Sequence, residues 1–513
     1  MSVTIGIDVG TSGTKTLAID ETGGILATAT SEYPCSHPRP GWSEQDPELW
    51  WTATKETLRA VLAAGTFKPT DVAGVGLSGQ MHGSVLLDAD GGVVRPALLW
   101  NDQRTVAETA EIEDRAGGRE ALIRVVANRS MTGTTAPKLL WVRRHEPANW
   151  EKVRQVLLPK DYVRYRLTGT YATEVSDASG TTLFDVANRR WSRELMARLD
   201  LDPALFPECR ESPEVSATVS AIGSKATGLP EGTKVVGGGG DQPAGAVGNG
   251  IVRQGVVSAT MGTSGVVYAH AEQLGFDPEG RLQRGCAAVP GEYHAMGVVL
   301  AAGGSLQWFR NELGKAEVAL AREQGIDPYH LLTGEAALAG PGAEGLFFLP
   351  YLTGERSPHF DADAKAAWIG LTVRHGRPHM IRAVLEGATF AMRDSLELVR
   401  DMGVAIEQVR VSGGGARNAL WRQIQADVYG VDVHAINAGE GPAFGVALLA
   451  QVGTGAFATV PEACDATIKT VDSTSVDPKA KDYYDRAYKI HRDLYQNLKG
   501  SFRDISRLVE RGL

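Results

Sequence analysis

Short apolar runs that end in glycine-rich polar turns recur along the chain, and the same pattern opens each half. Residues 3–9 and 14–20 read as strands around the turn Gly10-Thr11-Ser12-Gly13, and residues 25–30 as a third, so the chain starts as an antiparallel meander. Residues 46–61 read as a helix with Asp46 as N-cap and Pro47 in its first turn. Residues 72–77 form a strand ending in Ser78-Gly79-Gln80-Met81-His82-Gly83, and residues 97–100 another, ending in Asn101-Asp102-Gln103-Arg104. Farther on, residues 134–145 read as a helix, 156–160 as a strand and 161–167 as a short helix. Residues 173–182, rich in Ser, Thr, Asp and Gly, read as a loop, 191–199 as a helix and 209–223 as an extended link.

The stretch VVGGGGDQPAGAVGNG, residues 235–250, is the centre of the pattern. An apolar lead-in suggests a buried strand end, and four glycines let backbone pass close to another element. Asp241 then stands at the turn into a helix whose narrow face is Ala244, Gly245, Val247 and Gly248. A carboxylate there can serve as a general base or can simply cap the helix.

The second half restarts like the first. Residues 256–260 and 266–269 read as strands around Gly262-Thr263-Ser264-Gly265, repeating the tetrapeptide of Gly10 to Gly13. Two such hairpins, each opening a half, suggest a duplicated fold with two phosphate-gripping loops. Residues 346–352 read as a strand, 378–402 as a long helix and 407–411 as a strand leading into Ser412-Gly413-Gly414-Gly415. The helix 419–429, the strand 433–436 and a small-residue helix from Gly441 to Leu449 follow, with an amphipathic helix over 482–498.

Composition narrows the function. A chain of 513 residues exceeds one ordinary core and predicts more than one domain. Hydrophobic content of 43% and a net charge of −9 suit a globular protein and argue against a general nucleic-acid or anionic-membrane binder. Four scattered cysteines without a CxxC pair suggest free thiols of a reducing compartment, and no signal peptide or membrane span is visible, so a cytoplasmic location is expected. The chemistry gathers at strand ends. Asp8 can hold a hydrated Mg²⁺ beside an anion bound at Gly10, Thr11, Ser12 and Lys15, and the polar ends at Gln80, His82, Trp100, Asn101, Asp102 and Arg104 suit a polyol.

These motifs together resemble the FGGY carbohydrate kinases over essentially the whole chain. IGIDVGTSGTK, MGTSG and SGGGARNALWRQI resemble that family's nucleotide loops, TGTTAPKLLWVRRHEP and WIGLTVRHGRPHMIRAVLEG its signatures, and GQMHG, PALLWNDQR and LLPKDYVRYRLTG its xylulose-specific members. The resemblance implies an α/β fold of two actin-like, ribonuclease H-like domains, each a mixed β-sheet flanked by helices, with the active site in the cleft between them. We place the boundary at 1–248 and 249–513. It implies ATP with Mg²⁺, D-xylulose phosphorylated on its 5-hydroxyl, and a possible homodimer. Carried over by motif, Asp241 is the catalytic base, and Asp8 supports the metal and phosphates. Met81, His82, Trp100, Asp102 and Gln242 line the sugar. Gly10, Thr11, Ser12, Lys15, Gly262, Thr263 and Ser264 belong to the phosphate loops, and Gly413, Gly414, Gly415 and Asn418 to the adenosine side. The residue after the base is often Asn in the xylulose-specific members; Gln242 is shared with glycerol kinases. Other readings of the same features are a kinase of this family acting on glycerol, ribulose, gluconate or a rare ketose, and an actin-like ATPase of chaperone or filament type.

Overall fold

The computed structural model describes residues 2–437, 439 and 441–511. It divides into two units, Met1–Arg253 with His270–His294 and Ala438–Lys469, and Gln254–Ala269 with Ala295–Asn437 and Thr470–Leu513. In the first, the opening meander is β1 (Val3–Val9), β2 (Gly13–Ile19) and β3 (Ile25–Glu32). It is joined by β4 (Val72–Gly79), β5 (Val215–Thr218) and β6 (Lys234–Val236). The sheet runs β5-β6-β4-β1-β2-β3, with the short strand Gly239–Gly240 adding to β4. β1 pairs antiparallel with β2 and parallel with β4, so the sheet is mixed.

Alternation along β1 assigns its two faces. Val3, Ile5, Ile7 and Val9 are fully buried in one core with Trp50, Leu58 and Val61 of the helix Pro47–Ala63 and Val163 and Leu167 of the helix Pro159–Thr168. The other face is paved with glycine. A Cβ on Gly6 would stand 1.8 Å from the Ala443 carbonyl oxygen, and one on Gly76 would stand 2.0 Å from that of Val446. Only a bare backbone lets the helix Gly441–Thr454 lie this close to the sheet. The helix Asp241–Gly248 packs on it just as closely, since a Cβ on Gly445 would meet the Ala244 carbonyl oxygen at 1.9 Å. Asp8 and Ser78 stand opposite each other on neighbouring strands, two residues beyond Gly6 and Gly76, so they cap this glycine face.

The second unit repeats the plan with β7 (Gly255–Met261), β8 (Gly265–Ala271), β9 (Tyr293–Val299), β10 (Ile406–Ser412), β11 (Val433–Ile436) and β12 (Thr470–Thr474). The order is β9-β8-β7-β10-β11-β12. β7 pairs antiparallel with β8 and parallel with β10, as β1 does with β2 and β4. The helices Arg377–Asp401 and Pro478–Arg511 flank this sheet. They are tied by the buried Arg382–Glu386 ion pair, to which Tyr484 donates at 2.6 Å.

Some elements differ from the expectation. Residues 173–182 are no loop: Ala172–Glu174 is a strand paired with Glu208–Arg210, followed by the helical turn Val175–Ala178. Their polar side chains point inward to one another. Lys160 belongs to a helix because Pro159 occupies its first turn. Residues 209–223 hold strand segments and the start of the helix Ala221–Thr227 rather than a plain link. The terminal helix spans Pro478–Arg511, longer than its apolar stripe suggested.

Candidate active site

The four glycines deliver Asp241 by close packing at every step. Val236 and Gly237 turn their carbonyls to the buried Arg164, which donates at 2.6 and 2.5 Å. Gly238 takes a left-handed φ of 75° with its Cα against the Leu77 carbonyl, where a Cβ would lie at 1.9 Å. The Gly240 amide donates to Ser176 Oγ at 3.2 Å, and a Cβ on Gly240 would sit 2.7 Å from Met81 Cγ. Asp241 follows as the first residue of the helix Asp241–Gly248, its Oδ1 accepting the Gln242 amide at 2.7 Å.

This carboxyl is pushed up to about 8, first by burial and then by the negative charges of Asp8 and Asp177. Asp8 itself is raised to about 6 by burial, opposed by the neighbouring Ser78 hydroxyl and the charge of Lys15, its cross-strand partner. Asp8 Oδ1 has no hydrogen-bond partner. The cluster is therefore short of positive charge, and an orphaned carboxylate oxygen in such a place fits a cation. Among the described residues no group of three or more His, Cys, Asp or Glu could cage a metal.

The raised carboxyl also fixes a sign for stability. In the unfolded chain Asp241 ionises near its ordinary value of about 4, in the folded one at about 8. The folded state thus holds the proton more tightly, and stability falls as pH rises across that window. Asp8 and Asp177 act in the same direction. The wild-type Tm is expected to drop between pH 5 and pH 8.5, and Asp241→Asn to drop less, which paired thermal melts would show.

The first glycine turn is held from behind. Its Gly10 carbonyl accepts from Tyr33 Oη at 2.7 Å, its Thr11 carbonyl from Gln45 Nε2 at 2.7 Å and its Ser12 carbonyl from the Tyr33 amide at 3.1 Å. With its carbonyls engaged, the turn is left to present donors, the requirement for an anion cradle. Sequence reasoning passed over Tyr33 and Gln45; a Gln between two acidic residues just before a helix carried no signal of its own.

The residues expected to line the sugar stand at the two strand ends. Met81 is buried, and His82 adopts φ 69° with Nδ1 donating to the Gly180 carbonyl at 2.8 Å. The His82 carbonyl accepts from Thr135 Oγ1 and from Lys138 Nζ, at 3.0 and 2.9 Å. Gly180 leaves room for the pair, because a Cβ there would lie 2.7 Å from His82 Cε1. Trp100 keeps 41% of its surface exposed. Asp102 is sealed, its oxygens taken by Arg104 at 2.7 to 3.0 Å and by the Ser43 amide at 2.7 Å. Its charge braces the wall from within.

Behind Asp241 lies a charge cluster that the sequence did not reveal. Lys160 Nζ lies 2.9 Å from Asp161 Oδ1, 3.0 Å from Asp177 Oδ2 and 3.5 Å from Glu174 Oε1, all fully buried. Glu174 also receives Ser176 Oγ and Ser212 Oγ, each at 3.0 Å. Asp177 has only the lysine, and burial pushes it up to about 7.

In the second unit the repeated turn closes one residue earlier, with Gly262 N donating to Ser264 O at 3.0 Å where Gly10 N reaches Gly13 O in the first. The Gly303 and Gly304 amides donate to the Gly262 and Thr263 carbonyls, each at 2.9 Å, engaging those carbonyls as in the first turn. Gly413, at φ 81°, and Gly415 lie against Met261, and Gly414 between them opens the short helical turn Gly414–Arg417. Asn418 caps the helix Ala419–Tyr429 through the Trp421 amide and donates to Thr333 Oγ1 at 2.8 Å.

Comparison with known proteins agrees with this plan. Residues 3–248 match the model of the FGGY family of carbohydrate kinases, N-terminal domain, and residues 257–454 that of its C-terminal domain. The chain is 37% identical over 510 residues to the xylulose kinase of Bacillus subtilis (strain 168), covering 99% of both. It is 41% identical over 449 residues to the xylulose kinase of Escherichia coli (strain K12), covering 87% of this chain and 89% of that one. The crystal structure of xylulose kinase from Rhodospirillum rubrum superposes with a TM-score of 0.89 at 31% identity, covering 98% of this chain and all of that one.

Proposed function

Since the chain belongs to the FGGY family of carbohydrate kinases, we propose that it transfers the terminal phosphoryl group of ATP to the 5-hydroxyl of D-xylulose. Near full-length identity to proteins named xylulose kinase supports the sugar. The observation that carries the chemistry is the carboxyl of Asp241, set at a helix start and pushed up by burial and by the charges of Asp8 and Asp177.

Phosphoryl transfer asks mainly for positioning and charge neutralisation. Asp241 accepts the proton of the sugar hydroxyl as the new O–P bond forms and the bond from phosphorus to the ADP oxygen breaks. Before ligands bind, its raised proton affinity keeps Asp241 protonated near pH 7. Positive charge held at Asp8 offsets the repulsion and frees the base when the substrates are in place. Mg²⁺, when bound, supplies that charge and neutralises phosphate oxygens; Asp8, with its open oxygen, is the residue we assign to it. Thr11 and Ser12 of the first turn and Thr263 and Ser264 of the second bind phosphate through their amides, while Gly10 and Gly262 close the turns with theirs. The bare backbone of Gly413, Gly414 and Gly415 takes the adenosine, and Asn418 shapes that turn as a helix cap. Met81, His82, Trp100 and Gln242 contact the sugar.

We place the protein in the cytoplasm: its four cysteines form no disulfide. Among the described residues, no helix is long and apolar enough to cross a membrane. An ADP-release assay over a sugar panel tests the assignment. D-xylulose is expected to exceed glycerol, D-ribulose and D-gluconate by about tenfold or more in kcat/KM, the scale that a few matched hydroxyl contacts provide. A better substrate among the others, or ATP hydrolysis indifferent to sugar, would overturn it.

A further inference from the structure

Trp100 is exposed on one side yet tethered on the other. Its Nε1–H donates to Thr11 Oγ1 at 2.9 Å. The Thr11 hydroxyl in turn donates to Gln80 Oε1 at 3.1 Å, and Gln80 Nε2 donates to Gln45 Oε1 at 3.0 Å. Gln45 Nε2 returns to the Thr11 carbonyl at 2.7 Å. The chain of donors thus runs from the indole through a hydroxyl and two amides and ends on the backbone of the residue it entered. Gln45 and Gln80 are almost wholly buried, so a broken link leaves a polar atom without water to replace it. The Trp100 backbone is clamped as well, because a Cβ on Gly133 would lie 2.1 Å from its carbonyl oxygen. What remains adjustable is the indole ring, and it reaches the loop through one hydroxyl.

We propose that the Thr11 hydroxyl couples sugar binding to the first phosphate loop. This rests on the sugar-kinase reading above. A sugar laid against the open side of Trp100 holds the indole where its N–H fixes Thr11, and an ordered Thr11 turn holds the indole where the sugar needs it. The coupling is reciprocal, so D-xylulose tightens nucleotide binding by the same factor as nucleotide tightens D-xylulose. Gln80, next to Met81, brings the other strand end of the sugar wall into the same circuit. Thr11 is here a positioning residue: its hydroxyl transmits the state of Trp100 rather than touching the reacting atoms.

The test is a titration of a non-hydrolysable ATP analogue with Mg²⁺, with and without saturating D-xylulose. The proteins are wild type, Trp100→Phe, Thr11→Val, Thr11→Ser and the double variant Trp100→Phe/Thr11→Val. Trp100→Phe keeps a smaller aromatic face and loses the donor. Thr11→Val keeps the shape and loses the hydroxyl, and Thr11→Ser restores it. The wild type is expected to bind the analogue about tenfold more tightly with sugar present, within the usual range of coupling factors. Each hydroxyl- or donor-deleting variant should lose most of that factor, the double variant no more than either single one, and Thr11→Ser should retain it. Independent, additive losses would overturn the inference, as would uniform weakening of both ligands at an unchanged ratio. A wild type that phosphorylates D-xylulose with no coupling would overturn it alone, whereas a wild type that does not bind D-xylulose would overturn the sugar assignment with it.

Discussion

Replacing Asp241 by alanine is expected to lower kcat for sugar phosphorylation by about 10² or more, the scale of a lost general base. Binding of ATP and sugar should stay largely intact, since the glycine turn is held by Tyr33 and Gln45 and the wall by Thr135, Lys138 and Gly180, none of which leans on Asp241. Folding should not suffer either. The substitution removes a carboxyl that its neighbours repel, so the variant is expected to melt no lower than wild type above pH 8. This separates loss of chemistry from loss of structure. Rapid-quench single-turnover measurement, set beside equilibrium titrations of both ligands, checks it. Turnover close to wild type would refute the assignment of Asp241, and a collapse of sugar binding would make it a binding group.

How much of this was legible in the chain depends on whether the signal was local. The hairpins around Gly10 and Gly262 were readable because strand, turn and strand are contiguous and alternate cleanly. The helix Ala419–Tyr429 and the strand Val433–Ile436 were bounded correctly because the cap residues Asn418 and Gly430 end the helix and the β-branched Val433 and Ile436 bound the strand. Asp241 stood out because four glycines precede it. The cluster of Lys160, Asp161, Glu174 and Asp177 was not readable. Polarity normally signals solvent, and these residues are polar because they satisfy one another in a sealed space. Glu174 even caps the helical turn that a Ser- and Asp-rich composition disguised as loop. The membership of residues 441–454 in the first unit was equally hidden. Glycines in β1 and β4 reveal that something approaches closely, but not which distant segment does.

That glycine face yields the second large effect, on stability. A Cβ on Gly76 would lie 2.0 Å from the Val446 carbonyl oxygen and 2.6 Å from its carbonyl carbon. These are backbone atoms of a buried helix, fixed by its hydrogen-bond ladder, so no rotamer change relieves the overlap. Gly76→Ala is expected to destabilise by roughly 3 kcal/mol or more, as overpacking of a rigid core does. Gly74→Ala tests the argument one step along the same strand. Its added Cβ would meet the Thr454 side-chain methyl at 2.6 Å, and a side chain near a helix end can turn away, so the cost should be clearly smaller. Gly334 is the reference: it lies within the helix Pro328–Ala336 with nothing within 4 Å of an added Cβ. Alanine there should be neutral or stabilising by about 0.5–1 kcal/mol through helix propensity. Denaturant unfolding of the three variants should therefore rank Gly76→Ala far below Gly74→Ala, with Gly334→Ala at or above wild type. Equal losses at Gly76 and Gly74 would mean that the helix Gly441–Thr454 gives way easily, and the close packing that carries Asp8 and Asp241 on one side of this sheet would lose its physical basis.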